Sequence, residues 1–169
     1  MNKQQALSKI EELKKFIESC DKEEEWVKID YSVIPKEIFD RYGIKPFEIM
    51  KKKAMEDGKT IANITWSDAK RRAKEMGYRL PTIQEMLVLL DFYKQKFPDN
   101  ASIHHDEFLG IEELSYDQNV YYEWIDSPCS AFRGGYWGTG STAGAFALAL
   151  SWPGGGTSSV VGFRCARGI

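Results

Sequence analysis

Cysteine, histidine and long apolar runs are scarce in this 169-residue chain, and each scarcity closes off a class of protein. The cysteines Cys20, Cys129 and Cys165 are odd in number and widely spaced. That fits neither a disulfide framework nor a zinc site, and it suits a reducing compartment; a Cys129–Cys165 bridge stays open because both lie in the C-terminal tail. The two histidines are adjacent, His104-His105, followed by Asp106 and Glu107. Neighbouring imidazoles rarely hold one ion together and no third ligand is spaced to join them, so the run reads as a surface loop. No metal and no other cofactor is expected. No segment reaches the roughly 18–20 apolar residues of a membrane span. The N-terminus MNKQQALSKIEELKK lacks the apolar stretch of a secretory signal. The expected location is the cytoplasm, or a virion or cell surface reached without a recognisable signal peptide. Net charge is −2 with no concentrated basic face, which argues against a nucleic-acid partner.

The deepest scarcity is local. Residues 127–169 contain no Asp, Glu, Lys, Asn or Gln, and their only charges are Arg133, Arg164 and Arg167. They hold ten of the 14 glycines, with aromatic and aliphatic anchors threaded between them. That is not the composition of a site for acid–base chemistry. Its short strands and tight turns would carry small and aromatic side chains, the make-up of an adaptable contact surface.

The rest of the chain reads in order. Leu7, Ile10, Leu13, Ile17 and Cys20 recur at three- and four-residue spacing, so residues 2–20 are expected as an amphipathic helix. Its apolar face either packs on its own domain or joins a short coiled coil, which makes it the expected route to an oligomer. Trp26 to Tyr31 alternates like a strand. Pro35 and Pro46 each open a predicted helix, stopped by Gly43 and Gly58. Residues 1–58 are therefore expected as a helical N-terminal extension to a domain spanning 59–169. Thr65-Trp66-Ser67-Asp68 and Thr82-Ile83-Gln84-Glu85 are capping boxes that start two further helices. Two helices followed by a glycine-punctuated β region predict an α+β fold.

The series ITWSDAKRRAKEMGYRLPTIQEM, then Glu123-Trp124, FRGGYW at 132–137 and GFRCAR at 162–167, resembles the formylglycine-generating-enzyme superfamily. The resemblance covers roughly residues 60–169 and implies a C-type-lectin-like fold, two helices plus a small, glycine-rich antiparallel β region. Within that superfamily, RGGYWGTGSTAGAFALAL and VVGFRCAR look most like the variable proteins of diversity-generating retroelements. There a reverse transcriptase rewrites the end of the gene from a template repeat, with errors at adenines. The resemblance implies a non-catalytic protein that displays a diversified ligand-binding surface at about 133–164, with a protein or cell-surface molecule of variable identity as partner. The matching fixed scaffold is Arg133, Gly134, Gly135, Trp137, Gly140, Ala143, Gly144, Phe146, Leu150, Gly162, Phe163 and Arg164. The implied variable positions are Tyr136, Gly138, Thr139, Ser141, Thr142, Ala147, Ala149, Ser151, Gly156, Ser158 and Val160. Every residue type among them is reachable from an Asn codon by changing its two adenines. Trp152 is not, and is read as fixed but ligand-facing. Phe146, Leu148 and Leu150 share one face of a strand by their period of two, so Ala147, Ala149 and Ser151 face outward where exchange costs little.

Other readings weigh less. An oxidase of the formylglycine-generating type needs two cysteines shortly after the Gly-Gly pair, where this chain has Thr139 and Gly144. A related sulfoxide synthase needs a histidine-rich iron site. A calcium-dependent lectin needs clustered oxygen ligands, and no EPN, QPD or WND motif is present. A lectin-like or receptor-tip module of fixed specificity is the remaining alternative.

Overall fold

The computed structural model describes residues 4–5, 7–11, 26–98, 107–112, 122–127, 131–134, 148–149 and 155–169. Among these the chain is a mixed α+β protein, with helices and mainly antiparallel sheets. Residues 4, 5 and 7–11 are helical, and Leu7 and Ile10 are more than half exposed. Leu13, Ile17 and Cys20 of the expected helix lie outside the described residues.

Strand β1 (Trp26–Ile29) leads through a turn into helix α1 (Lys36–Tyr42). The Asp30 carboxylate fixes that turn, accepting from the Ser32 backbone N–H at 2.9 Å. Pro35 precedes α1, and Gly43 ends it at φ 66°, the left-handed conformation that glycine takes without strain. Both signals behave as the sequence predicts.

The next predicted helix does not form. Residues 47–50 are strand β2 (Phe47–Met50), antiparallel to β1. Phe47 and Ile49 alternate into the core, and their neighbours in register are Ile29 and Val27. A helix would have turned one of that pair to solvent. Further on, Asp57 (φ 51°) and Gly58 (φ 75°) form the two-residue turn between β3 (Met55–Glu56) and β4 (Lys59–Thr60). Two consecutive positive φ values match the twist of a hairpin, and Asp-Gly is the pair that favours them. Gly58 is thus a hairpin residue and not a helix stop. Residues 26–58, expected as part of a helical extension, carry one helix and three strands.

Helix α2 (Trp66–Glu75) starts at Thr65, whose hydroxyl accepts from the Asp68 N–H. Helix α3 (Ile83–Lys96) starts at Thr82 with a complete capping box. Glu85 returns a bond to the Thr82 N–H at 2.8 Å, and its two oxygens also receive both terminal nitrogens of Arg79. Arg79 further exchanges backbone hydrogen bonds with Ala166, and the Pro81 carbonyl accepts from the Asp126 N–H at 2.7 Å. The RLPT stretch is therefore a joint that fixes where α3 begins relative to the C-terminal strands.

The hairpin β5 (Glu107–Phe108) and β6 (Ile111–Glu112) precedes β7 (Tyr122–Ile125), β8 (Ala131–Gly134), β9 (Leu148–Ala149), β10 (Val161–Phe163) and β11 (Ala166–Gly168). Strand order is β1-β2-β11 in one sheet and β10-β7-β8-β9 in the other. The pairing of β10 with β7 is parallel, so the β region is not wholly antiparallel as expected. The first strands and the last share a sheet: Ile49 lies opposite Ala166. The boundary expected at residue 58 separates β2 from its own partner β11.

Two core clusters flank β7. Ile125 and Ala131 join α1, α3 and the first sheet around Ile29, Phe39 and Leu89. Trp124 and Phe163 join α2 around Ala69 and Ala73. The period of two along β7 sends successive side chains into different clusters.

Candidate functional site

The segment between β8 and β10 leaves from and returns to strands that flank β7. Strand β8, on one side of β7, leads into residues 135–160, and β10, on its other side, receives the chain back. Glu123 lies at the middle of this arrangement, opposite Arg133 on β8 and Gly162 on β10. Its side chain is 2% exposed, an unusual place for a carboxylate. Arg133 Nε donates to Glu123 Oε1, and Arg164 Nε donates to Oε2 at 2.5 Å. Both arginines are buried as completely as the carboxylate. Arg164 Nη1 also donates to the carbonyls of Met50 and Lys51, at 3.0 and 3.1 Å, at the end of β2.

Burial alone would raise the pKa of Glu123. The charges of Arg133, Arg164 and the buried Lys53, with the hydrogen bond from Arg164, outweigh it and hold the carboxyl below its ordinary value. It is therefore an ionised acceptor, occupied by its partners. A buried carboxylate of this kind makes a poor proton donor or base near neutrality. Its chemistry is that of a structural counter-ion.

The resemblance places Arg133 and Arg164 in the fixed scaffold. Arg164 bonds to the Met50 and Lys51 carbonyls, and the carboxylate that both arginines share is a contact the sequence reading does not reach. The signal was present as a lone acid in the apolar run Tyr121-Tyr122-Glu123-Trp124-Ile125. An acid on an otherwise buried strand requires a buried cation.

Of the sequence-assigned variable positions, Gly156, Ser158 and Val160 are half-buried. The Ser158 carbonyl accepts from the N–H groups of Asn63 and Val161, at 3.1 and 3.2 Å, and the Val160 carbonyl accepts from Tyr122 N–H at 3.0 Å. Val160 packs at the margin of the second core cluster. Ala149 lies on β9, opposite Phe132. Tyr136, Gly138, Thr139, Ser141, Thr142, Ala147, Ser151 and Trp152 lie outside the described residues, as do Cys129, His104, His105 and Asp106. The structure brings the stems of the assigned surface together on β7.

Two other features bear on the site. Arg167 Nε donates to Glu48 at 2.5 Å while its guanidinium stacks 4.2 Å from the Trp26 ring, which joins β11 to its neighbour β2 and, across it, to β1. Cys165 is a free thiol, fully buried in the second cluster, and burial pushes its pKa up to about 12 from 9.0. At pH 8 that leaves about a thousandfold less thiolate than an open thiol has. Iodoacetamide should consequently spare Cys165 in the native protein and modify it after unfolding in urea. Peptide mapping checks this, and native-state labelling at residue 165 would contradict the burial. Among the described residues no group of three His, Cys, Asp or Glu side chains could hold a metal ion, and no helix is long and apolar enough to cross a membrane.

Fold and site together define a mixed α+β protein whose glycine-rich tail is returned to a buried, ion-paired strand. Comparison with family models, curated proteins and solved structures gives no match to this chain.

Proposed function

We propose that the protein is a non-catalytic binding module with a C-type-lectin-like scaffold, whose tail at about 133–164 is a contact surface diversified by a retroelement reverse transcriptase through adenine mutagenesis. One observation carries the reading. Among the residues whose burial is described, those assigned to the fixed scaffold and those assigned to variation separate by burial. Arg133, Gly162, Phe163 and Arg164 are buried, whereas Gly156, Ser158 and Val160 reach solvent. Exchange at a partly exposed position typically changes stability little, while exchange in a packed core is costly. A segment with that division can vary and still fold.

The ligand is a protein or cell-surface molecule, contacted through Tyr136 and Trp152 as aromatic anchors and through the hydroxyls of Thr139, Ser141 and Thr142. Large aromatics dominate the energetics of such interfaces. The reading is tested by sequencing the DNA beside the gene. The expected result is a near-copy of the codons for residues 133–164 that differs at adenines, close to a reverse-transcriptase gene. Absence of the repeat, or differences scattered over all four bases, leaves a lectin-like module of fixed specificity.

A further inference from the structure

Short strands hold the tail weakly by backbone alone. β10 pairs with β7 over three residues, and β8 pairs with β7 over four and with β9 over two. The residues between the stems are rich in glycine, whose loss of freedom on folding is the largest of any residue. If the stems depended on contacts from those residues, each new tail sequence would move them. Glu123 supplies a restraint from the opposite side. One oxygen takes Arg133 at the outgoing stem, the other takes Arg164 just past the returning stem, and neither bond involves a residue between the stems. Arg164 extends the restraint to the end of β2 through the Met50 and Lys51 carbonyls.

We propose that Glu123 is a positioning residue for the contact surface: its single carboxylate clamps both stems, so that their geometry does not depend on the sequence displayed between them. The proposal rests on the reading of the tail as a contact surface. It differs from a general contribution to stability in predicting where the protein loosens. A core defect spreads through every element, whereas a lost clamp opens β8 and β10 together.

Backbone hydrogen exchange on the full chain measures this directly. In Glu123→Gln, exchange at residues 131–134 and 161–163 should rise about tenfold or more relative to α3, in both stems at once. A tail variant with Tyr136, Ser141, Thr142 and Ser151 all changed to alanine should leave both stems at the parent rate. Should Glu123→Gln fail to fold, the milder Arg133→Lys and Arg164→Lys are compared, each keeping its charge but losing the Nε donor. The first should then open β8 and the second β10. Equal acceleration in α3 and the stems, loosening of one stem only in Glu123→Gln, unchanged stems in both lysine variants, or stems loosened by the tail variant overturns the proposal. The measurement uses no ligand, so a missing template repeat in the DNA would end the diversification reading and leave this result standing.

Discussion

Glu123→Gln should lower the unfolding free energy by about 3–5 kcal/mol, the usual cost of removing one partner from a buried ion pair. The amide is nearly isosteric, so the loss is not a packing loss. It arises because Arg133 and Arg164, both fully buried, keep their charges after the shared carboxylate is gone. The same group predicts the acid limb of stability. The folded-state pKa of Glu123 is lowered, so the folded protein binds its proton less readily than the unfolded chain does. Its contribution is fully present above the ordinary carboxylate value of 4.5 and is lost as pH falls through the folded value below that. Urea titrations at pH 7 and pH 3 should show a smaller drop with pH in Glu123→Gln than in the parent. A variant within about 1 kcal/mol of the parent at pH 7 would show that the carboxylate contributes little net stability.

Trp124→Ala should cost a similar amount, about 3–5 kcal/mol, for a different reason. Trp124 is fully buried in the second cluster beside Phe163, and its indole N–H donates to the Ile64 carbonyl at 2.8 Å. Alanine leaves a cavity between β7 and α2 that the surrounding backbone can fill only in part. Trp124→Phe separates the two contributions, since it keeps much of the ring volume and removes the donor. It should recover more than half of the alanine loss, the remainder, about 1–2 kcal/mol, reflecting the buried acceptor left without its donor. Denaturation midpoints read at constant slope check both variants. The Trp124 effect should persist at pH 3, where the Glu123 effect shrinks, because burial of an indole does not titrate.

The sequence determined the elements that depend on local chemistry. Pro35 and Gly43 bound α1, while Thr65 and Thr82 cap α2 and α3, because each signal acts on backbone groups within a few residues. The alternation from Trp26 to Tyr31 likewise marks a strand, β1. Local signals misled at Pro46, where a proline and a later glycine bracket a run that is strand and hairpin. There Asp57-Gly58 was the better signal, and the pairing of β2 with β11 lies 119 residues apart at Glu48 and Arg167. No short window contains such a contact.

The same limit applies to the site. The tail's composition by itself carries only the expectation of a contact surface, since a segment without acids or lysine has little with which to move protons. Only the tertiary structure decided that Arg133 and Arg164, far apart along the chain, share one carboxylate on the strand between them. Ion pairing in a core depends on which strands become neighbours, and strand order follows from the packing of two hydrophobic clusters on either side of β7.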